Sequence, residues 1–166
     1  MRAGAKLLGH PIHQMLIVFP LGLLATSFFF DIAWLVTKAG NLGIVAYWMI
    51  FAGVIGGLIA AVFGLIDWLA IPSGTRAKFI GAWHGLGNVG VVVLFIGSWL
   101  LRRSDPAVPP MSAIVLSAIA VCGALVTGWL GGELVDRLAI GVDEGAHADA
   151  PSSLSGRPAH ERVTRG

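Results

Sequence analysis

The sequence contains little charge and a single cysteine, and these shortages exclude several classes of protein. Only 12% of its 166 residues are charged and 56% are hydrophobic, whereas a typical soluble domain carries about 25% charged residues. So few charges cannot cover a soluble surface, and the apolar content excludes a disordered chain. The one cysteine, Cys122, lies in an apolar run and provides neither an internal disulfide nor a CxxC redox motif. The composition predicts an integral membrane protein.

A low net charge and the absence of common catalytic motifs exclude further classes of function. The 11 basic and 9 acidic residues give a net charge of +2, which is too little for a basic nucleic-acid surface, so we expect no nucleic-acid partner. The HExxH, GxSxG and phosphate-loop motifs of common hydrolases and kinases are also missing. We therefore do not expect chemistry of these classes.

Four long apolar runs dominate what is present. Each is long enough to cross a bilayer, which takes about 20 helical residues, and the predicted spans are residues 12–35, 44–69, 80–101 and 112–134. Because the connections are short, successive helices are antiparallel neighbours, which predicts an all-α, up-down-up-down four-helix transmembrane bundle over residues 8–142. All six tryptophans fall at helix ends, as an aromatic belt requires. Residues 143–166, rich in small, polar and charged residues, predict a disordered tail.

The distribution of lysine and arginine predicts the orientation in the membrane. The first apolar run is too long for a signal peptide and is expected to remain as the first span. The side with both termini carries more basic residues than the other side, which predicts cytoplasmic termini. The basic residues are Arg2, Lys6, Arg76, Lys78 and Arg137 on the first side, against Lys38, Arg102 and Arg103.

Small residues recur at every fourth position in two of the predicted helices. They are Ala52, Gly56, Ala60 and Gly64 in the second, and Ala120, Ala124, Gly128 and Gly132 in the fourth. Such ridges allow close helix packing in lipid. They are expected to face the bundle interior, where they could meet each other, or to form a homodimer interface. Pro20 is expected to kink the first helix because it leaves the carbonyl of Leu16 without a partner.

Five ionisable residues gather at one end of the predicted bundle. His10 and His13 open the first helix, Asp67 closes the second, His84 opens the third and Glu133 closes the fourth. The alternating topology puts all five on the same side of the membrane, and ionisable residues in spans indicate a functional site. Asp67 follows the small-residue ridge and is expected to point inward.

Structural explanations compete with that interpretation. Glu133 can pair with Arg137 four residues on, Asp67 can accept from Trp83 or His84, and His10 can cap the entry to the first helix.

Three functions remain open. His13 and His84 could be axial ligands of a b-type haem, with Gly81 and Gly85 leaving room for the macrocycle. Alternatively, the set of His10, His13, Asp67, His84 and Glu133 could hold zinc, iron or manganese, or carry protons in a small transporter. The third hypothesis is a cofactor-free interaction or structural membrane protein, in which the polar cluster joins the helices.

Two further patterns concern the bundle as a whole. Asp31 lies 18 residues beyond His13, roughly 27 Å along a helix, so its expected partner is Lys38 or Arg102 on the opposite side. Each half of the chain also opens with a histidine and ends with an acid. The two spacings differ, but the pattern suggests a parallel repeat.

Four ordered motifs resemble one family: GHPIHQMLIVFPLGLL, FGLIDWLAIPSGTRAK, AWHGLGN and GWLGGELVDRLAIGV. They are similar to domain-of-unknown-function family 2231 of predicted bacterial four-span membrane proteins, over about residues 8–142. The resemblance implies a multi-pass protein of the bacterial inner membrane, and it maps the family's recurrent histidines onto His10, His13 and His84. Some relatives carry a histidine in the place of Glu133. Others are fused to a Rieske-type iron–sulfur domain, which implies a redox partner, although this chain lacks the cysteines for such a cluster.

Overall fold

Four long helices lie side by side in the computed structural model, which describes residues 4–163. The first span is divided into α1 (Ile12–Leu16) and α2 (Val18–Thr37). The others are α3 (Gly40–Ala70), α4 (Arg76–Leu101) and α5 (Met111–Gly132), which continues as a π-helical turn over Glu133–Arg137. All four spans are long and apolar enough to cross a membrane. The predicted all-α, four-span fold is confirmed, with helices a few residues longer than predicted.

Two short elements lie outside the bundle. Strands β1 (Lys6–Leu7) and β2 (His10–Pro11) form an antiparallel hairpin that the sequence analysis did not predict. Its turn has positive φ at both Leu8 and Gly9, the conformation of a tight type I′ turn. A single 3₁₀ turn occupies Ser153–Ser155.

The first span is irregular near Pro20, and the kink expected there stays a prediction. The helix is interrupted at Ile17, between α1 and α2. Pro20 has no N–H to donate to the carbonyl of Leu16, four residues earlier, which accounts for a break at this position.

The bundle consists of two helical hairpins. In the first hairpin α2 packs mainly on α3, and in the second α4 packs mainly on α5. Glycines permit the close approach: a Cβ at Gly53 would lie 2.7 Å from Leu24, and one at Gly87 would lie 2.5 Å from Thr127.

In the first ridge, Gly56 and Gly64 pack on Pro20 and His13 of the same hairpin. Because α3 has few contacts with α5, the two ridges do not meet along their length, contrary to the expectation that they meet each other. The homodimer stays a prediction, for which Gly128 offers an open surface with no atom within 4 Å of its Cβ position.

Interior residues of the two hairpins can be aligned at constant sequence offsets. An offset of 71 residues relates the first span to α4. It pairs the interior residues His13, Leu24, Ser27 and Asp31 with His84, Phe95, Ser98 and Arg102. Between α3 and α5 the offset is four residues shorter, which is about one helical turn. It relates Ala46, Ile50, Gly53, Ala60 and Gly64 on α3 to Ala113, Ser117, Ala120, Thr127 and Gly131 on α5. Both hairpins run in the same direction, as in a parallel repeat about an axis along the membrane normal.

The hydrophobic core lies between the hairpins. Its buried residues come from both of them: Leu24, Ile50, Val91, Phe95 and Ala120. A second cluster closes the end of the bundle that carries the termini, where Ile140 packs near Ile71 and Leu134. Beyond it, Asp143 pairs with Lys6, and Ser153 lies against Gly9. The disorder of residues 143–166 stays a prediction.

Candidate functional site

His13 is held by the neighbouring helix of its own hairpin. Its Nδ1 lies 2.9 Å from the carbonyl oxygen of Ala60 on α3. One turn further along α3, a Cβ at Gly64 would lie 2.9 Å from Cε1 of the imidazole. The ring therefore rests on the bare backbone at Gly64, and a larger residue there would displace it.

His84 is held in the same way in the second hairpin. Its Nδ1 lies 2.9 Å from the carbonyl oxygen of Thr127 on α5. A Cβ at Gly131 would lie 3.1 Å from its Cε1. In both hairpins a histidine thus meets a carbonyl and then, one turn later, a glycine.

The two imidazoles, which we call the histidine pair, meet across the boundary between the hairpins. Their ring centroids are 6.4 Å apart and their planes are perpendicular. A carbonyl oxygen can only accept a hydrogen bond, so each Nδ1 must carry the proton. In the neutral ring Nε2 then holds the lone pair, which makes it the atom available to a metal or a proton.

An amide and a hydroxyl adjoin His84. Asn88, one turn along α4, donates through Nδ2 to the backbone oxygen of His84 at 2.9 Å and to its Nε2 at 3.3 Å. Thr127 donates from Oγ1 to Oδ1 of Asn88 at 3.0 Å. Because the backbone oxygen of His84 can only accept, its bond from Nδ2 identifies the NH₂ side of the amide, which faces the imidazole.

The carboxylates of the predicted cluster lie elsewhere. Asp67 accepts backbone N–H bonds from Gly4 at 2.7 Å and Ala5 at 3.2 Å, so it fastens the N-terminal segment instead of pointing inward. Glu133 forms an ion pair with Arg76, and not with Arg137. Both carboxylates have partners close to their own helix ends, which an analysis of the helices alone does not reveal.

His10, Gly81 and Gly85, the remaining predicted features, have other surroundings. His10 is exposed and lies 3.4 Å from Oγ of Ser153. Gly81 lies beneath Trp68, which would be 2.8 Å from a Cβ there, whereas Gly85 has no atom within 4 Å. In the described part of the chain, no group of three or more His, Cys, Asp or Glu residues is arranged to hold a metal ion. Haem or metal binding by the predicted residues stays a prediction.

A buried ion pair joins the hairpins at the opposite end. Asp31 and Arg102 are both fully buried, and Nη2 of Arg102 donates to Oδ2 of Asp31 at 2.7 Å. Ser98 and Ser117 accept further bonds from the guanidinium. Of the two partners predicted for Asp31, the structure selects Arg102, while Lys38 lies over the ring of Trp34.

One comparison with known proteins gives a match, and that match covers nearly the whole bundle. A family profile described as a predicted membrane protein (DUF2231) matches residues 9–144. The chain belongs to the DUF2231 family. No curated protein and no solved structure matches it. The matched part of this DUF2231 chain contains the four spans, the histidine pair and the Asp31–Arg102 pair.

Several site residues escaped the sequence analysis of this DUF2231 chain. Thr127 and the two supporting glycines have no place in a repeat of histidines and acids, so that pattern did not connect them with the histidines. Aligning His13 with His84 and continuing along both hairpins relates Gly64 to Gly131 and Ala60 to Thr127. A spacing of four residues does not distinguish Gly64 and Gly131, which contact the imidazoles, from the other small residues of these helices.

Proposed function

We propose that the protein is a membrane haem protein. The histidine pair would hold one b-type haem between the hairpins, through Nε2 of His13 and of His84, for electron transfer in the membrane. The observation that supports this function is the meeting of two equivalent imidazoles with perpendicular planes and ring centroids 6.4 Å apart.

The separation of the rings agrees with two ligands on opposite sides of one metal ion. Metal–nitrogen bonds are about 2.0 Å long. With the imidazole ring radius added on each side, the ring centres of two such ligands are about 6 to 6.5 Å apart. A tetrahedral angle at the metal would bring the centres closer, to about 5 Å. The observed 6.4 Å would leave room for one metal ion between the rings, which His13 and His84 would hold once Nε2 of His84 turns from Nδ2 of Asn88.

The hydrogen bonds of the histidines also favour a ligand role. Metal-binding histidines commonly donate the N–H of the other ring nitrogen to a carbonyl, which fixes the tautomer and the ring orientation. Nδ1 of His13 and Nδ1 of His84 each have such an acceptor at 2.9 Å. Because both acceptors belong to the backbone of a packed helix, the rings are oriented before any ligand arrives.

The number of ligands favours haem over a single metal ion. Haem supplies its own four equatorial nitrogens and needs only axial ligands from the protein. Catalytic zinc takes three protein ligands and structural zinc takes four. Within residues 4–163 no third His, Cys, Asp or Glu joins the pair to form a metal-binding group. Gly85, next to His84 in the sequence, is exposed, so a macrocycle edge would lie along the outer surface of α4 there.

The orientation with both termini in the cytoplasm is part of the proposal. Arg102 is fully buried against Asp31, so its charge is neutralised and contributes little to the positive-inside balance. The far side is then left with Lys38 and Arg103 as its basic residues near the spans. A reporter fused after Arg165 should be active in the cytoplasm, and activity only outside the cytoplasm would contradict this orientation.

Optical spectroscopy of the detergent-purified protein, expressed with added haem precursor, tests the haem function. The wild-type protein should show a Soret band that shifts on reduction with dithionite, and His13→Ala and His84→Ala should each abolish that spectrum. His10→Ala is the matched control, because His10 is an exposed histidine three residues from His13, and it should keep the spectrum. A colourless wild-type protein would contradict the proposal, and stoichiometric zinc, iron or manganese in it would instead favour a metal site.

A second function, that of a cofactor-free membrane protein, is favoured by one observation. Nε2 of His84 already accepts a hydrogen bond from Asn88, so the imidazole needs no metal to satisfy its polar atoms. In that case the histidines only join the helices. A colourless, metal-free protein that loses thermal stability on His84→Ala would support this function.

A further inference from the structure

An apolar groove lies between the two hairpins, toward the end of the bundle opposite the termini. Its volume is about 120 Å³, and its lining residues come from α3 and α4: Phe51, Val54, Ile55, Ile96 and Trp99. Pockets that enclose a whole drug-sized ligand are larger, at about 300–1,000 Å³. The groove therefore suits one slender apolar chain better than a bulky ring system.

The indole of Trp99 carries a hydrogen-bond donor without an acceptor. Its Nε1 atom is buried, and no acceptor for it exists in the part of the chain that the structure describes. Buried tryptophan N–H groups usually have a partner, because an unpaired one loses the hydrogen bond that it makes in water. Trp34 and Trp68 follow this rule, since each donates to a backbone carbonyl. The donor of Trp99 therefore lacks an acceptor that a ligand could provide.

A positive charge lies beside Trp99, beyond the end of α4. The guanidinium carbon of Arg103 is 5.9 Å from the centre of the indole ring. Arg103 is exposed, and among residues 4–163 it forms no ion pair with a carboxylate. Ile96 lies about one turn deeper than Trp99 on α4. From the membrane surface inward, the order is an unpaired cation, a hydrogen-bond donor and an apolar groove.

We propose that this groove binds one anionic phospholipid with ester-linked chains. The phosphate would lie beside Arg103, an ester carbonyl would accept from Nε1 of Trp99, and an acyl chain would lie in the groove. A phospholipid presents these groups in the same order, from the charged headgroup through the carbonyl to the chain. The lining residues Phe51 and Ile55 are exposed, so they can move aside for the carbonyl without opening the core.

Native mass spectrometry of the full-length protein in detergent measures this binding, and it needs no haem. Ester-linked phosphatidylglycerol should bind about 2- to 12-fold more tightly than its ether-linked counterpart, which has no carbonyl, as expected for one hydrogen bond. Trp99→Phe keeps a ring against Tyr47 and Phe51 but removes the N–H, so it should abolish that difference. Trp48→Phe is the matched control, because Trp48 is an exposed member of the same aromatic cluster, and it should keep the difference.

Phosphatidylcholine with the same ester-linked chains measures the contribution of Arg103. Wild-type protein should prefer the anionic phosphatidylglycerol by about 5-fold, the attraction expected for one basic residue near the membrane surface. Arg103→Gln should lose that preference. Lys38→Gln is the control, since Lys38 is a basic residue at the same end that lies over Trp34, and it should keep the preference.

Each outcome supports or overturns one part of the proposal. Equal binding of ester-linked and ether-linked phosphatidylglycerol by the wild type, or a difference that survives in Trp99→Phe, would overturn the bond to the indole. Equal binding of phosphatidylglycerol and phosphatidylcholine would overturn the role of Arg103. The comparison of the two phosphatidylglycerols on the wild type needs no variant, so it still decides the question if Trp99→Phe does not fold.

Discussion

At the scale of single residues, the site depends on two glycines as much as on two histidines. Each imidazole approaches a helix backbone with its Cε1 and Nδ1 atoms, and it can do so only because Gly64 and Gly131 have no side chain. The same contact places each Nδ1 within reach of a carbonyl one turn earlier. The orientation of the two imidazoles therefore depends on the absence of a side chain at Gly64 and at Gly131.

Replacing the glycine beneath His13 should displace the imidazole. A Cβ at Gly64 would lie 2.9 Å from Cε1 and 3.0 Å from Nδ1 of His13. We expect Gly64→Ala to lower the free energy of unfolding by about 1–3 kcal/mol, as overpacking does, and to weaken haem binding. Thermal unfolding in detergent and a haem titration measure the two effects.

Gly57→Ala is the control for this substitution on the same helix. Its Cβ would meet ordinary contacts, 3.5 Å from Val92 and 3.7 Å from Pro20. It should be neutral or stabilising by up to about 1 kcal/mol, since alanine favours helix over glycine. An equal loss of haem binding in both variants would contradict the role given to Gly64.

The two carboxylates predicted as ligands should be dispensable for haem binding. Asp67 is engaged with the N-terminal backbone, and Glu133 is engaged with Arg76. Asp67→Ala and Glu133→Ala should therefore keep the optical spectrum of the wild type, and Asp67→Ala should speed proteolysis of the N-terminal segment. Loss of the spectrum in either variant would instead favour a site that includes carboxylates.

At the scale of helices, the buried Asp31–Arg102 pair fastens the hairpins at the end opposite the histidines. Removing one partner of a buried pair leaves an uncompensated charge and costs about 3–5 kcal/mol, whereas replacing both by apolar residues is often neutral or better. Asp31→Leu and Arg102→Met should each destabilise the bundle strongly, and the double variant should recover most of the loss.

The exposed ion pair Arg157–Glu161 on the tail is the control for the single and double variants of Asp31 and Arg102. Arg157 and Glu161 are about half exposed, so Glu161→Ala should cost at most about 1 kcal/mol. Thermal unfolding of the full set in one detergent measures the differences. Additive losses in the Asp31 and Arg102 variants would mean that the two residues do not act as a pair.

The helices were predictable from the sequence, while the connections between polar residues were predictable only in part. Long apolar runs and tryptophans at their ends define the four spans, and the helical distance from His13 separated Asp31 from the cluster. The partners of Asp67 and Glu133 were missed because they lie on the N-terminal segment and at the start of α4. Ala60 contributes only its backbone carbonyl to the site, so its side chain gives no indication of that role in the sequence.

At the scale of the whole molecule, the hairpins resemble two subunits joined by one exposed loop. Equivalent residues meet at both ends of their interface, His13 with His84 and Asp31 with Arg102. The second pair has opposite charges at equivalent positions. Two copies of the first hairpin would oppose two aspartates, and two copies of the second would oppose two arginines, so only the mixed pair is complementary.

A split protein tests this complementarity. Residues 1–74 and 75–166, expressed together as separate chains, should co-purify and bind haem, because the cut falls in the loop between α3 and α4. Either fragment alone should bind none, because each carries one member of the histidine pair. Haem binding by a single fragment would contradict a site shared between the hairpins.

The most direct measurement of the central claim is the electron paramagnetic resonance spectrum of the haem-loaded ferric protein. Two perpendicular axial imidazoles, as in the 90° arrangement of His13 and His84, should give a strongly anisotropic low-spin signal. That signal should be lost in both His13→Ala and His84→Ala and retained in His10→Ala. A high-spin signal in the wild type, or a low-spin signal that survives either substitution, would contradict the assignment of this pair as the axial ligands.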